Sequence, residues 1–163
     1  MHVSLRALVP PLAGLLGACS PANSLQGSMS DLTPLTFTTV EVKLQANSLV
    51  VEYADFADGG TGGGNIPFEL TVNVSGIKLD GGFSVLLDGG TAGGEPIGVA
   101  SRSVLDDDRT FSAIDRGYLT LNTPVVEGET ASGSLFMVFI YQNDESLGSG
   151  HTIYGNFQAT VTQ

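Results

Sequence analysis

The sequence predicts an all-β domain: an antiparallel β-sandwich of about eight strands, with a small β-barrel as the alternative. Three observations carry this. From Pro34 onward apolar and polar residues alternate with a period of two, and no helical period dominates. β-Branched and aromatic residues concentrate in the alternating runs. Glycine, 22 of 163 residues against an average of about 7%, clusters between them. Uneven strands and loops favour a sandwich over a barrel.

The elements follow in order. Thr36–Gln45 sets Val40, Val42 and Leu44 on one face, and Ala46-Asn47 turns the chain into Ser48–Ala54, so the pair reads as a hairpin. The glycine-rich loop Asp58–Asn65 precedes the cleanest strand, where Phe68, Leu70, Val72 and Val74 oppose Glu69, Thr71, Asn73 and Ser75. Asp80-Gly81-Gly82 leads into Phe83–Leu87, and a second glycine-rich loop, Asp88–Glu95, into Pro96–Val104. The acidic turn Asp106-Asp107-Asp108 lies in a stretch, Ser101–Ile114, that is expected to hold a short helix. Gly117–Leu121 and Ser132–Tyr141 are two more strands, and Gln142–Gly150 is a loop. In Thr152–Thr162, Ile153, Gly155, Phe157, Ala159 and Val161 face away from Tyr154, Asn156, Gln158 and Thr160.

The N-terminus carries a different signal. Arg6 is followed by an apolar run, Ala7–Ala18, and then by Cys19, the single cysteine. A charged start, an apolar middle and small residues before a cut site make a secretory signal. The run is shorter than the roughly 20 residues a spanning helix needs, and Pro10-Pro11 interrupts it. Leu16-Gly17-Ala18-Cys19 resembles the lipobox of bacterial lipoproteins. That resemblance implies cleavage before Cys19, lipidation of its thiol and anchoring in the membrane. Ser20 in place of Asp then implies the outer membrane. The expected organisation is a lipoprotein signal peptide over 1–18, a flexible tether over 19–33 and a β-sandwich domain over 34–163. The tether would hold the domain off the membrane, with an end-to-end distance of about 20 Å. Ala131–Phe136 and Ile153–Ala159 loosely resemble strands of small bacterial envelope β-domains, which implies no activity.

Seventeen acidic residues against six basic ones give a formal charge of -11. Loss of Arg6 makes it one unit more negative. The remaining basic residues are scattered, so nucleic acid and anionic headgroups should be repelled. With one cysteine there is no intramolecular disulfide, and stability must come from packing.

Four features are weighed as sites. The loops at Asp58 and Asp88 combine aspartates with permissive glycines, which suits calcium, but tandem Gly-Gly-x-Gly-x-Asp spacing is absent, and two wide hairpin loops at one end of the sandwich are the simpler expectation. Asp106–Asp108 lacks the spacing of an EF-hand and reads as a solvated turn, with Asp capping a helix or pairing with arginine; Arg109 and Asp115 are its neighbours in sequence. His151, the histidine outside the signal, stands beside Gly150 without any Gly-x-Ser-x-Gly, Ser-x-x-Lys or His-Glu-x-x-His motif in the chain. Ser134–Tyr141 is apolar on both faces, with Phe136, Val138 and Ile140 against Leu135, Met137, Phe139 and Tyr141. A two-layer sandwich buries only one face, so internal cover or a partner is expected on the other. The absence of Trp and the low aromatic content count against a sugar platform.

The sequence therefore leads to a non-enzymatic, lipid-anchored envelope protein, attached through Cys19 and serving a structural or partner-binding role. It predicts no cofactor, no metal site and no nucleic-acid partner. The alternative is a calcium- or glycan-binding module that uses the glycine-rich loops.

Overall fold

The computed structural model describes residues 23–56, 64–88, 97–141 and 146–163. They form nine strands: β1 (Ser24–Gln26), β2 (Thr39–Gln45), β3 (Ser48–Asp55), β4 (Asn65–Asn73), β5 (Phe83–Leu87), β6 (Gly98–Ser103), β7 (Ile114–Leu121), β8 (Thr130–Phe139) and β9 (Thr152–Thr162). A 3-10 turn occupies Ser28–Asp31. The hydrogen-bonded path runs β5-β7-β8-β9-β2-β3-β4-β6, with β1 added to β9. The chain is all-β, and among the described residues the pairings between these strands are antiparallel apart from β2 with β9.

The path folds into two facing leaves. One holds β5, β7, β8, β9 and β1, and the other holds β2, β3, β4 and β6. β9 joins them: Thr152–Thr160 pairs with β8, then Val161 and Thr162 pair in parallel with Val42 and Lys43. At the far edge Gly98 of β6 approaches β5, where a Cβ would come within 2.8 Å of the Leu87 side chain. Two leaves joined along one edge and nearly closed along the other are where a sandwich grades into a small barrel.

The core is the set of inward positions that alternation selects. Leu49, Val51 and Tyr53 of β3 meet Phe68, Leu70 and Val72 of β4, all fully buried. The facing leaf contributes Leu119, Leu121, Leu135, Met137, Phe139, Ile153 and Phe157. A chain of aromatic contacts leads from one leaf to the other: Tyr53 and Phe68 are neighbours within one leaf (5.9 Å), and Phe111 links Phe68 (6.1 Å) to Phe139 of the other (5.3 Å). Tyr53 Oη donates to the Asn156 carbonyl at 2.9 Å, tying β3 to β9, and burial pushes its phenol well above the usual range. Gly155 makes room for this contact: a Cβ there would meet the Ser24 carbonyl and stand 3.2 Å from Tyr53 Oη.

Two expectations need correction. The expected tether does not extend over residues 23–33. Asn23 brackets Gln158 with both amide atoms, donating to its carbonyl at 3.3 Å and accepting from its N–H at 2.6 Å. β1 follows along the same edge, and Met29 is 0% exposed. The edge of β9 would otherwise present unpaired backbone groups, and this segment supplies their partners. Residues 19–22, with Cys19, lie outside the described residues.

The short helix expected over Ser101–Ile114 is absent. β6 continues to Ser103, Val104 bridges Asp107, and Asp106 adopts a φ of 63°, a left-handed conformation that stops a helix. The two glycine-rich loops, residues 57–63 and 89–96, lie outside the described residues, and with them both the expectation of two wide hairpin loops at one end and the calcium reading.

Candidate functional site

The site assembles from strand register. In an antiparallel sheet, residues directly opposite one another share a face and stand about 5 Å apart. Leu86 pairs with Tyr118, Tyr118 with Phe136, Phe136 with Tyr154, and Tyr154 with Gln26. These five residues form one continuous row across all five strands of the first leaf. Their inward neighbours Leu87, Leu119, Leu135 and Ile153 are core, so the row faces outward. Leu86 is 73% exposed, Tyr118 44% and Tyr154 46%. The Tyr118 and Phe136 rings stack at 5.5 Å with 27° between their planes.

A second row lies one pleat step away: Ser84, Thr120, Ser134, Asn156 and Ser24 are successive register partners. Ser84 and Thr120 share a hydroxyl–hydroxyl hydrogen bond of 2.8 Å, and the Asn156 N–H donates to Ser24 Oγ at 3.2 Å. A shallow depression of about 340 Å³ opens between the rows, lined by Phe136, Tyr154, Asn156, Ser24, Gln26 and Ser134 among others. This settles the two-faced strand Ser134–Tyr141. Leu135, Met137 and Phe139 enter the core, while Phe136, Val138 and Ile140 are half-buried on the outside. The flanking tyrosines give Phe136 its partial cover and are themselves open to solvent.

The outer face of the other leaf has the opposite character. Glu41, Glu52 and Glu69 form a register row there. Lys43 Nζ pairs with Glu41 (2.9 Å) and Glu52 (2.8 Å), while the Ser101 hydroxyl donates to Glu69 at 3.0 Å. Burial alone would lower the Lys43 pKa, but hydrogen bonds to Glu52 and Glu41 outweigh it and raise the value. One lysine thus offsets part of the charge of three carboxylates, and the row stays net negative.

The remaining sequence candidates serve the scaffold. Asp107 takes Arg102 Nη1 at 2.9 Å and Arg109 Nη2 at 2.8 Å. The Arg109 and Arg102 hydrogen bonds hold its carboxyl well below the usual range. Arg102, its side chain 1% exposed, also donates to Thr33 Oγ1 at 3.2 Å, while Asp106 and Asp108 stay exposed. The pairing expected at this turn is present, and the helix cap is not. His151 Nδ1 lies 2.9 Å from the Ser28 carbonyl, so it carries the proton and pins the 3-10 turn to the start of β9. Asp115 pairs with Arg116 at 3.2 Å.

A second concavity, about 610 Å³, opens beside the β2–β3 turn and is lined by Leu44, Gln45, Ala46, Val74, Ile77, Leu79 and Gln163. Neither concavity is lined by His, Cys, Asp, Glu, Lys or Arg. Among the described residues no group of three or more His, Cys, Asp or Glu could hold a metal ion. The arrangement supplies stacking surface and neutral hydrogen-bonding groups. Sequence reasoning placed Phe136 and Tyr154 on their faces but missed the row, because no local signal says which strands are neighbours. No protein-family model, no curated protein and no solved structure matches this chain.

Proposed function

We propose that this chain is a non-catalytic, lipid-anchored protein of the bacterial cell envelope that holds a partner through the outer face of its β5-β7-β8-β9-β1 leaf. The observation that carries the binding role is the exposed row Leu86–Tyr118–Phe136–Tyr154. Exposed aromatic residues in a line, on rigid strands, suit recognition better than solvation. That neither concavity is lined by His, Cys, Asp, Glu, Lys or Arg supports a role without catalysis.

The anchor rests on the Leu16-Gly17-Ala18-Cys19 stretch. Fixation of Asn23 on β9 refines it. Four residue steps separate Cys19 from Asn23, a reach of at most about 14 Å. The lipidated protein would therefore stand close against the bilayer.

Site-specific photocrosslinking in intact cells tests the face. A photoreactive phenylalanine at Tyr118 or Tyr154 should give discrete adducts, and the same probe at Val99, on the outer face of the other leaf, should give none. Equal adducts from all three positions, or none from any, would refute this use of the face.

A further inference from the structure

We infer that the occupant of this face is an uncharged polysaccharide chain, laid across the strands along the aromatic row. This inference rests on the binding role proposed above and names the ligand class. A sugar ring offers one apolar C–H face and a rim of hydroxyls. It therefore needs flat apolar surface with neutral donors and acceptors alongside. The row Leu86–Tyr118–Phe136–Tyr154–Gln26 supplies the first, over four inter-strand spacings or about 19 Å. The row Ser84–Thr120–Ser134–Asn156–Ser24 supplies the second, about 7 Å away along the strands. The depression bounded by Phe136, Tyr154, Asn156 and Ser24 seats a ring between them.

Charge narrows the choice. The chain carries -11, yet neither row contains Asp, Glu, His, Lys or Arg. The glutamate row lies on the opposite leaf. An anionic polymer would be repelled by the whole domain, and a cationic partner would find its complement on the other face. The adjoining row holds Arg116, which pairs with Asp115 at 3.2 Å, so an uncharged ligand is the complement of the two uncharged rows. Shape argues the same way. A protein hot spot is a packed apolar centre ringed by polar groups, whereas here a single apolar row runs beside a single polar row, which fits a linear polymer. The platform is also preorganised: the Tyr118–Phe136 stack and the Ser84–Thr120 and Asn156–Ser24 hydrogen bonds hold its side chains in place.

The test is sedimentation of the detergent-solubilised full-length protein with insoluble cellulose, chitin and starch granules. Retention on at least one is expected, and it should persist in about 1 M salt, where screening is nearly complete. Tyr118→Ala and Tyr154→Ala should each weaken it about tenfold, while Tyr118→Phe keeps the ring and retains most of the binding. Asn156→Ala should weaken it by a smaller factor, and Val99→Ala should leave it unchanged. Thermal melts of each variant, unchanged from the parent, exclude unfolding as the cause. Failure to bind any of the three polymers, retention that survives Tyr118→Ala/Tyr154→Ala together, or loss in high salt would overturn the inference. Protein adducts at Tyr118 without polysaccharide retention would sink the glycan while leaving the partner-binding role standing. Dimers that dissociate on Tyr118→Ala would make a second copy the occupant and also overturn it.

Discussion

Replacing Met29 by Ala tests whether the segment before β2 belongs to the folded domain. Met29 is 0% exposed in a 3-10 turn, and at Gly148 a Cβ would stand 2.9 Å from its terminal methyl and 2.8 Å from the Phe139 ring. Three groups therefore close on one another there. Truncating a buried methionine costs about 2–5 kcal/mol through lost transfer energy and the cavity left behind. A short turn at the periphery relaxes more than a central strand, so the lower part of that range, about 2–3 kcal/mol, is expected. For a domain of this size that corresponds to a fall in Tm of about 6–12 °C. Urea denaturation should show a lower midpoint with an unchanged slope, the signature of lost stability without a change in the surface exposed. Leu32→Ala, at a position 41% exposed, serves as control and should change stability by less than about 0.5 kcal/mol. If Met29→Ala melts with the parent, residues 23–33 do not contribute to the core, and the packing described for β1 and its turn is wrong.

Other outcomes follow from named contacts. Tyr53→Phe removes the bond to the Asn156 carbonyl between leaves and should cost about 1 kcal/mol in the same urea assay; an unchanged midpoint would show that the leaves are not held together there. Asp107 has its pKa lowered from 3.8, so the stability it contributes is complete above that value and is lost as pH falls through the lower folded value. Asp107→Asn should therefore flatten the acid limb of the stability curve below about pH 4, and an identical limb in both proteins would contradict the Arg102–Asp107–Arg109 pairing. Labelled palmitate should enter the wild type and not Cys19→Ser, and membrane attachment should be lost with it. A wild type that takes no label and fractionates as soluble would remove the anchor from the proposed function.

Residue alternation is a local property of a pleated strand, and that is why so much of the fold was legible without coordinates. The period of two in Phe68, Leu70, Val72 and in Ile153, Gly155, Phe157 placed these residues inward, as the structure has them. The two-residue turn Ala46-Asn47 set the Gln45–Ser48 register for the same reason. Where the reading failed, the deciding contacts were distant in sequence. Ser24–Gln26 is too short to show a period, and only the open edge of β9, some 130 residues onward, makes it a strand. Ser101–Ile114 became a bridge and a turn because Asp107 pairs with Arg102 and Arg109 across a left-handed Asp106.

The sequence by itself determined the all-β class, the inward face of the strands with a clean polar–apolar alternation, the acidic surface and the motif at Cys19. Each depends on composition or on neighbours a few residues apart. Tertiary structure alone decided that β9 runs parallel to β2, that Met29 belongs to the core, and that Tyr118, Phe136 and Tyr154 stand in one row. Few aromatic residues in the chain argued against a platform, but a platform needs only a few that share a register. Register between strands is fixed by how the whole core packs, since a slip of one residue would turn every inward side chain out.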